Sequence, residues 1–271
     1  MIPGWLYSRW AGSLSLIVVI GLSTTLYSSL AQSETCVLPS QHAGVTFPVE
    51  QIEANWSCRL QPIINHYTTA NKLGPLRTPL SEAVYLYFLD HPPMTAAVVN
   101  RLNLGVYRAE LRGPGRYWGS DGEGTEGMVE LVYQDRTSRV YYLEGSHDSR
   151  FFPRIAGKAV VLLRMNPVTD SNGIEAMDST LVSYTRLDNR LLAGIVSLLR
   201  PLAGSAVTRK LAKGVDTVNR LSQVMRQQPD QVVSEVTKSP ALSFDEVAFL
   251  KHALENLSHS SGAIPSRTTS P

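Results

Sequence analysis

Between Gly105 and Leu187 apolar residues recur with a period of two, and on both sides of that stretch they recur every three or four positions. A period of two puts alternate side chains on one face of a strand, and a period near 3.6 puts them on one face of a helix. The middle of the chain therefore reads as strands: Val106 to Arg112, Gly115 to Asp121, Met128 to Gln134, Val140 to Asp148, Lys158 to Met165 and Ile174 to Leu187. The turns between them, such as Asp135 to Ser138 and Asn166 to Gly173, are too short for crossover helices. Five or six strands joined this way form an antiparallel sheet.

A sheet with one apolar face needs covering, and the flanks supply helices. Ile52, Trp56, Leu60, Ile63, Ile64 and Tyr67 predict a helix over Val49 to Asn71, with Pro62 inside it. Breaks at Leu73-Gly74-Pro75 and Thr78-Pro79 precede helices over Ser81 to Leu89 and Met94 to Leu104. After Asn189 a long apolar stripe runs from Leu191 through Leu202 and on to Met225, with Pro201 and Gly204 expected to kink it and Pro229 to end it. Ser243 and Glu246 have the spacing of a capping box and open a last helix. Residues 259–271 read as a flexible tail.

The chain has 271 residues, 43 % of them hydrophobic and 18 % charged, with a formal charge of +2. That near-neutral balance lacks the basic stripe of a nucleic-acid binder. Met1 to Ala31 carries one charge, Arg9, then the apolar run Leu14 to Leu22 and small residues at Ser29 and Ala31. This is the layout of a secretory signal peptide cleaved after Ala31. The alternative is an uncleaved anchor, since about 20 apolar residues span a bilayer. Export, to a periplasm-like compartment, agrees with the cysteines: two thiols in an oxidising compartment commonly pair, so Cys36 is expected to bridge to Cys58.

Helices, a meander and a long C-terminal helix resemble the helix-grip fold of the START/SRPBCC superfamily, which includes START lipid-transfer domains, polyketide cyclases and birch-pollen allergen relatives. The matching pieces are SEAVYLYFLDHPPMTAAVVNRL, the meander from Val106 to Leu187, and LLAGIVSLLRPLAGSAVTRKLAKGVDTVNRLSQVM. The resemblance implies an α+β domain over residues 78–228, with a curved antiparallel sheet wrapped on the long helix. Residues 32–77 and 229–258 then become helical extensions. A first strand before Ser81 is expected to be short or absent, with only Leu76-Arg77-Thr78 to supply it.

The same resemblance implies a cavity between sheet and long helix, holding an apolar or amphipathic ligand, lipid among the choices; the apolar first half of that helix, LLAGIVSLL, reads as lining or gating the cavity mouth, touching a bilayer, or simply covering the sheet as core. From the sheet its candidate walls are Tyr117, Trp118, Tyr133, Tyr141, Leu143 and Tyr184, with Val161, Leu163 and Met165 on the most apolar strand. The long helix offers Ile195 and Leu199. Arg164 interrupts the apolar alternation. It faces solvent if Val161, Leu163 and Met165 point inward, and becomes a buried grip for a carboxylate or phosphate headgroup in the opposite register.

Three motifs carry less. Gly122-Glu123-Gly124-Thr125-Glu126-Gly127 spells a dinucleotide fingerprint, but a strand follows it where a helix is required, so it reads as a hairpin loop. Ser146-His147-Asp148 holds the three triad residue types side by side, where strand alternation keeps them apart and leaves His147 a lone acid or base. His66, His91 and His252 lack metal-ligand spacing, and no cofactor motif is present. The function classes that stand are a binding protein for an apolar ligand, a cyclase- or hydrolase-like enzyme using His147 or a strand carboxylate, and a ligand-free interaction domain.

Overall fold

The computed structural model describes residues 36–148, 154–171, 173–188, 196–238 and 242–261, with backbone alone for 196–206 and 258–261. The expected leader over 1–31, Ile195 and the end of the tail lie outside the described residues. Seven strands build one antiparallel sheet: β3 (Thr69–Thr78), β4 (Arg108–Gly113), β5 (Arg116–Ser120), β6 (Thr125–Gln134), β7 (Ser138–His147), β8 (Ile155–Thr169) and β9 (Glu175–Leu187). Their spatial order is β3-β9-β8-β7-β6-β5-β4. The last six form the expected meander, and the first strand closes the sheet by pairing with the last.

β3 corrects the sequence reading. The segment was expected to be the end of a helix followed by a break, and it is a ten-residue strand. Proline inside a strand normally argues against one, because it cannot donate to the ladder. Here β3 is an edge strand, and Pro75 falls in an irregularity between Leu73 and Leu76. Gly74 has φ +110°, and a Cβ there would lie 2.5 Å from the Ser179 carbonyl oxygen, so only glycine fits. The preceding helix is correspondingly shorter: α1 spans Ala54–Asn65, with Pro62 in its last turn.

Strand alternation sorts the sheet into two faces. Val140, Tyr142, Val160, Leu162 and Val182 point to the back, where they pack with Leu38, Phe47, Ile52 and the α1 residues Leu60, Ile63 and Ile64. The covering segment begins with a small hairpin, β1 (Gln41–His42) and β2 (Val45–Thr46). The expected disulfide is present: Cys36 and Cys58 are bonded, with Cα atoms 4.9 Å apart, and pin this segment to α1.

The front face meets helices. α2 (Glu82–Asp90) is capped by Ser81 Oγ, which accepts from the Val84 N–H at 3.4 Å. α3 (Pro92–Arg101) starts on Pro92 and Pro93, whose missing N–H groups cost nothing in a first turn. α4 (Val196–Gln227) runs for 32 residues through Pro201 and Gly204 as one helix. α5 (Pro229–Thr237) and α6 (Phe244–Ser261) follow, and the Ser243–Glu246 capping box closes in both directions, at 2.8 and 3.3 Å. Leu221 and Met225 of α4, Val232 of α5 and Leu250 of α6 share a core with Phe88 of α2 and Met94 and Val98 of α3.

α4 touches opposite sides of the sheet. Thr208 Oγ1 donates to Asn71 Oδ1 at 2.8 Å, and Thr78 Oγ1 donates to Asn219 Oδ1 at 2.7 Å, both on the β3 edge. Lys210 Nζ donates to Asp121 Oδ2 at 2.6 Å, in the turn between β5 and β6 toward the other edge. One helix reaches both because the sheet curls around it. This is an α+β helix-grip architecture, with extra helices before and after.

Candidate functional site

A row of glycines marks the floor between sheet and helix. Gly119 pairs with Gly127, Gly127 with Gly145, and Gly145 with Gly157, so the row crosses β5, β6, β7 and β8. A Cβ on Gly127 would come within 2.6 Å of the Glu144 carbonyl oxygen, on Gly145 within 2.4 Å of that of Glu126, and on Gly157 within 2.8 Å of that of Arg186. Backbone cannot step aside as a side chain would. The row is therefore a crease where strands approach closely and the sheet bends.

Above the crease is a cavity of about 700 Å³, lined by the front of the sheet, α2, α3 and α4. Its walls are chiefly apolar: Val129 and Leu131 on β6, Tyr141 and Leu143 on β7, Ala96 and Val99 on α3, Val207 and Val218 on α4. Cavities that hold small organic ligands measure about 300–1,000 Å³ and have this character, a greasy wall with few polar groups.

One end of the cavity is polar and tightly built. Arg139 and Tyr141 line it, with Asp90 from the last turn of α2. The Arg139 side chain is only 5 % exposed, and its Nη1 donates to Asp90 Oδ1 at 2.6 Å. Burial works against the guanidinium charge, but Asp90 and Tyr141 outweigh it and raise its pKa above the usual arginine value. Burial also pushes the Tyr141 hydroxyl up, against the opposing pull of Arg139. Beside them Tyr85 and Ser179 share a 2.8 Å hydrogen bond, and burial raises the Tyr85 hydroxyl as well.

The other end is closed by the glycine-rich segment. It is a hairpin loop between β5 and β6, as its following strand predicts. Asp121 Oδ1 accepts from the N–H groups of Glu123 (2.8 Å) and Thr125 (3.0 Å) and fixes the loop. Lys210 bonds Asp121 and Glu123, and Lys213 bonds Glu123, so α4 is latched to the loop by ion pairs. Burial opposes ionisation of Asp121, but Lys210 and the two N–H groups hold its pKa below the ordinary carboxylate value. His147 lies here, its Nδ1 3.0 Å from Thr125 Oγ1. Ser146 Oγ instead accepts from Arg154, at 2.7 Å from Nη2, so the three adjacent triad-type residues form no relay.

Of the residues expected to line a cavity, Tyr117, Trp118, Tyr141, Leu143 and His147 do so. Val161, Leu163 and Met165 share the front face, but Leu163 and Met165 are packed beneath Tyr85, Leu86 and Leu89 of α2. Tyr133 and Tyr184 point to the back, donating to Gln51 Oε1 at 2.6 Å and meeting His42 Nδ1 at 3.0 Å. Arg164 also points away from the cavity and donates to Ser138 Oγ at 2.8 Å. Leu199 belongs to the stretch described by backbone alone. The sequence reading missed Arg139 because it began that strand at Val140; two residues before Tyr141 is the same face.

No protein-family model and no curated protein matches the chain. Solved structures to which it is similar include a conserved protein from Geobacillus kaustophilus, at 9 % identity over 57 % of this chain and 93 % of that one, TM-score 0.40. Norcoclaurine synthase from Thalictrum flavum, in complex with dopamine and hydroxybenzaldehyde, gives 13 % identity over 56 % and 84 %, TM-score 0.34. Ara h 8.0201 gives 11 % identity over 57 % and 96 %, TM-score 0.32.

Proposed function

We propose that this chain is a START/SRPBCC-type binding protein that sequesters an apolar or amphipathic small molecule, lipid included, between its sheet and α4. The observation that carries this reading is the cavity of about 700 Å³ beside a well-packed core. Unfilled apolar walls forfeit packing contacts, and a ligand that removes them from water gains roughly 25 cal/mol per Å² before ordering costs. The mature protein acts outside the cytoplasm, after residues 1–31 direct export as a signal peptide or stay as an anchor. The Cys36–Cys58 bridge supports this, because disulfides persist in oxidising compartments. The test is native mass spectrometry of purified protein, alone and after exposure to a lipid extract. Added mass from a bound small molecule is expected; bare protein in both samples overturns the proposal.

A second reading rests on His147 in the cavity wall, where a lone imidazole suits general acid–base chemistry on a bound substrate. It expects His147→Ala to abolish turnover of a captured ligand while ligand capture itself persists.

A further inference from the structure

The back of the sheet carries a second pocket, of about 380 Å³, between α1, the start of β8 and the end of β9. Three cations line it, Arg59, Lys158 and Arg186, against one carboxylate, Asp188. Lys158 and Arg186 stand directly opposite each other on β8 and β9. They share the back face, two residues from Val160 and Tyr184. Like charges in that position, with Cβ atoms about 5 Å apart, destabilise a sheet. The protein offsets little of this. Lys158 has Glu144 on its other side at 3.6 Å, and Glu144 also accepts from the Tyr142 hydroxyl at 2.8 Å. Arg186 has no carboxylate partner among the described residues; its Nη1 donates to the Pro62 carbonyl oxygen at 3.3 Å. Arg59 is oriented by aromatic rings, 4.1 Å from the Trp56 centroid and 4.7 Å from that of Tyr142. Its carboxylate, Glu130, is 4.0 Å away and lies nearer to Arg116, at 3.3 Å.

We propose that this pocket is a second binding site, for the phosphate group of a small monoester. The phosphate is seated across Lys158 and Arg186 and reached by Arg59, with the organic part against Pro62 and Ile63. Guanidinium forks and a lysine ammonium are the side chains that recognise phosphate, and three acceptor oxygens match cations arriving from three elements. An anion placed there turns a repulsive cross-strand pair into a bridged one. Asp188 and Glu144 hold down the net charge, which favours a compact dianion over a polyanion. The volume exceeds that of phosphate alone and falls in the range of small organic ligands, about 300–1,000 Å³. The site is on the face opposite the apolar cavity, so it stands apart from the binding function proposed above.

The experiment titrates phenyl phosphate and inorganic phosphate into the purified protein by calorimetry, above neutral pH and at ionic strength matched with sodium chloride. Thermal unfolding is followed in the same solutions. Wild-type protein is expected to bind phenyl phosphate more tightly than inorganic phosphate and to unfold at a higher temperature with it. Arg186→Gln and Lys158→Gln each weaken binding about tenfold or more, the size of one charge-assisted hydrogen bond. Without ligand, Arg186→Gln unfolds at the same or a higher temperature than wild type, because the like-charge pair is gone. Absence of binding by wild type, a shift that sodium chloride reproduces, or equal binding by wild type and both variants overturns the site. A marked fall in the unliganded unfolding temperature of Arg186→Gln makes the cluster structural and overturns it too. Inorganic phosphate binding as tightly as phenyl phosphate overturns the monoester assignment.

Discussion

The two faces of one sheet have been finished differently. Leu162 and Leu143 come from neighbouring strands of the same meander, yet Leu162 is 1 % exposed beneath α1 and Leu143 borders open space beneath α4. The back is covered by a short segment whose two parts are joined to each other by the Cys36–Cys58 bridge, and side chains from both interdigitate with the sheet. The front is spanned by a long helix that makes contact at its margins, through Asn71 and Thr78 on one side and Asp121 on the other. A cover that seats its apolar side chains on the sheet fills the layer between them, whereas a cover supported at its rims leaves a vault.

That contrast can be broken most forcefully by truncating matched leucines. Leu162→Ala opens a hole in a filled layer and is expected to cost about 2–5 kcal/mol in denaturant unfolding. Leu143→Ala only enlarges space that exists, and should cost about 1 kcal/mol or less by the same measurement, since the cavity penalty falls where no new void is made. Equal losses at the two sites would abolish the distinction. Next in size is the joint replacement Cys36→Ser with Cys58→Ser. Releasing a loop of 22 residues is expected to cost about 2–4 kcal/mol, read as a lower unfolding midpoint.

A smaller effect separates the faces by pH. His42 is 1 % exposed in the back layer, against Phe47 and Tyr184. Burial lowers its pKa below 6.5, against a backbone hydrogen bond at Pro39. The folded protein therefore keeps His42 neutral where the unfolded chain takes up a proton. Stability contributed this way is intact above pH 6.5 and is lost as pH falls through that value toward the folded pKa. His42→Gln should flatten the dependence of melting temperature on pH across that window, and an unchanged slope would assign the titration elsewhere. The smallest expected effect is at the rim. Lys210→Ala should lower stability by less than about 1 kcal/mol, because its ion pairs are partly solvated. The same change should speed amide hydrogen exchange in the loop from Asp121 to Thr125, while exchange in α1 stays as it was.

Most of the meander was legible because alternation over several residues survives local irregularity; β9 matched its apolar pattern closely, whereas β8 runs from Ile155 to Thr169, so the polar stretch from Asn166 that reads as a turn is paired strand for four more residues. β3 was not, since its proline and glycine imitate a loop, and what makes it a strand is an edge position beside β9 that no local signal encodes. The candidate site was half legible. Tyr141 and His147 were found from chemistry and alternation, but whether a front-facing side chain meets the cavity or α2 depends on where a distant helix stops. Leu163 and Arg139 are neighbours across β7 and β8, and one ends beneath α2 while the other reaches the void. Arg164 and Arg139 show the same point for charge: a single-residue difference in strand position decides which guanidinium lies on the cavity side of the sheet.

The crease from Gly119 to Gly157 has a consequence for how such a pocket can diversify. Three of its four positions admit no side chain, so the crease itself offers nothing that point substitution can adjust by degrees. Volume and curvature there are carried by the main chain and change all at once or not at all. Differences in the shape of the lining must then be written in the ceiling and in the sheet side chains on either side of the crease, such as Val129 and Leu143, where residues can be exchanged without disturbing the ladder beneath. The architecture divides its labour between an unalterable mould and a replaceable lining.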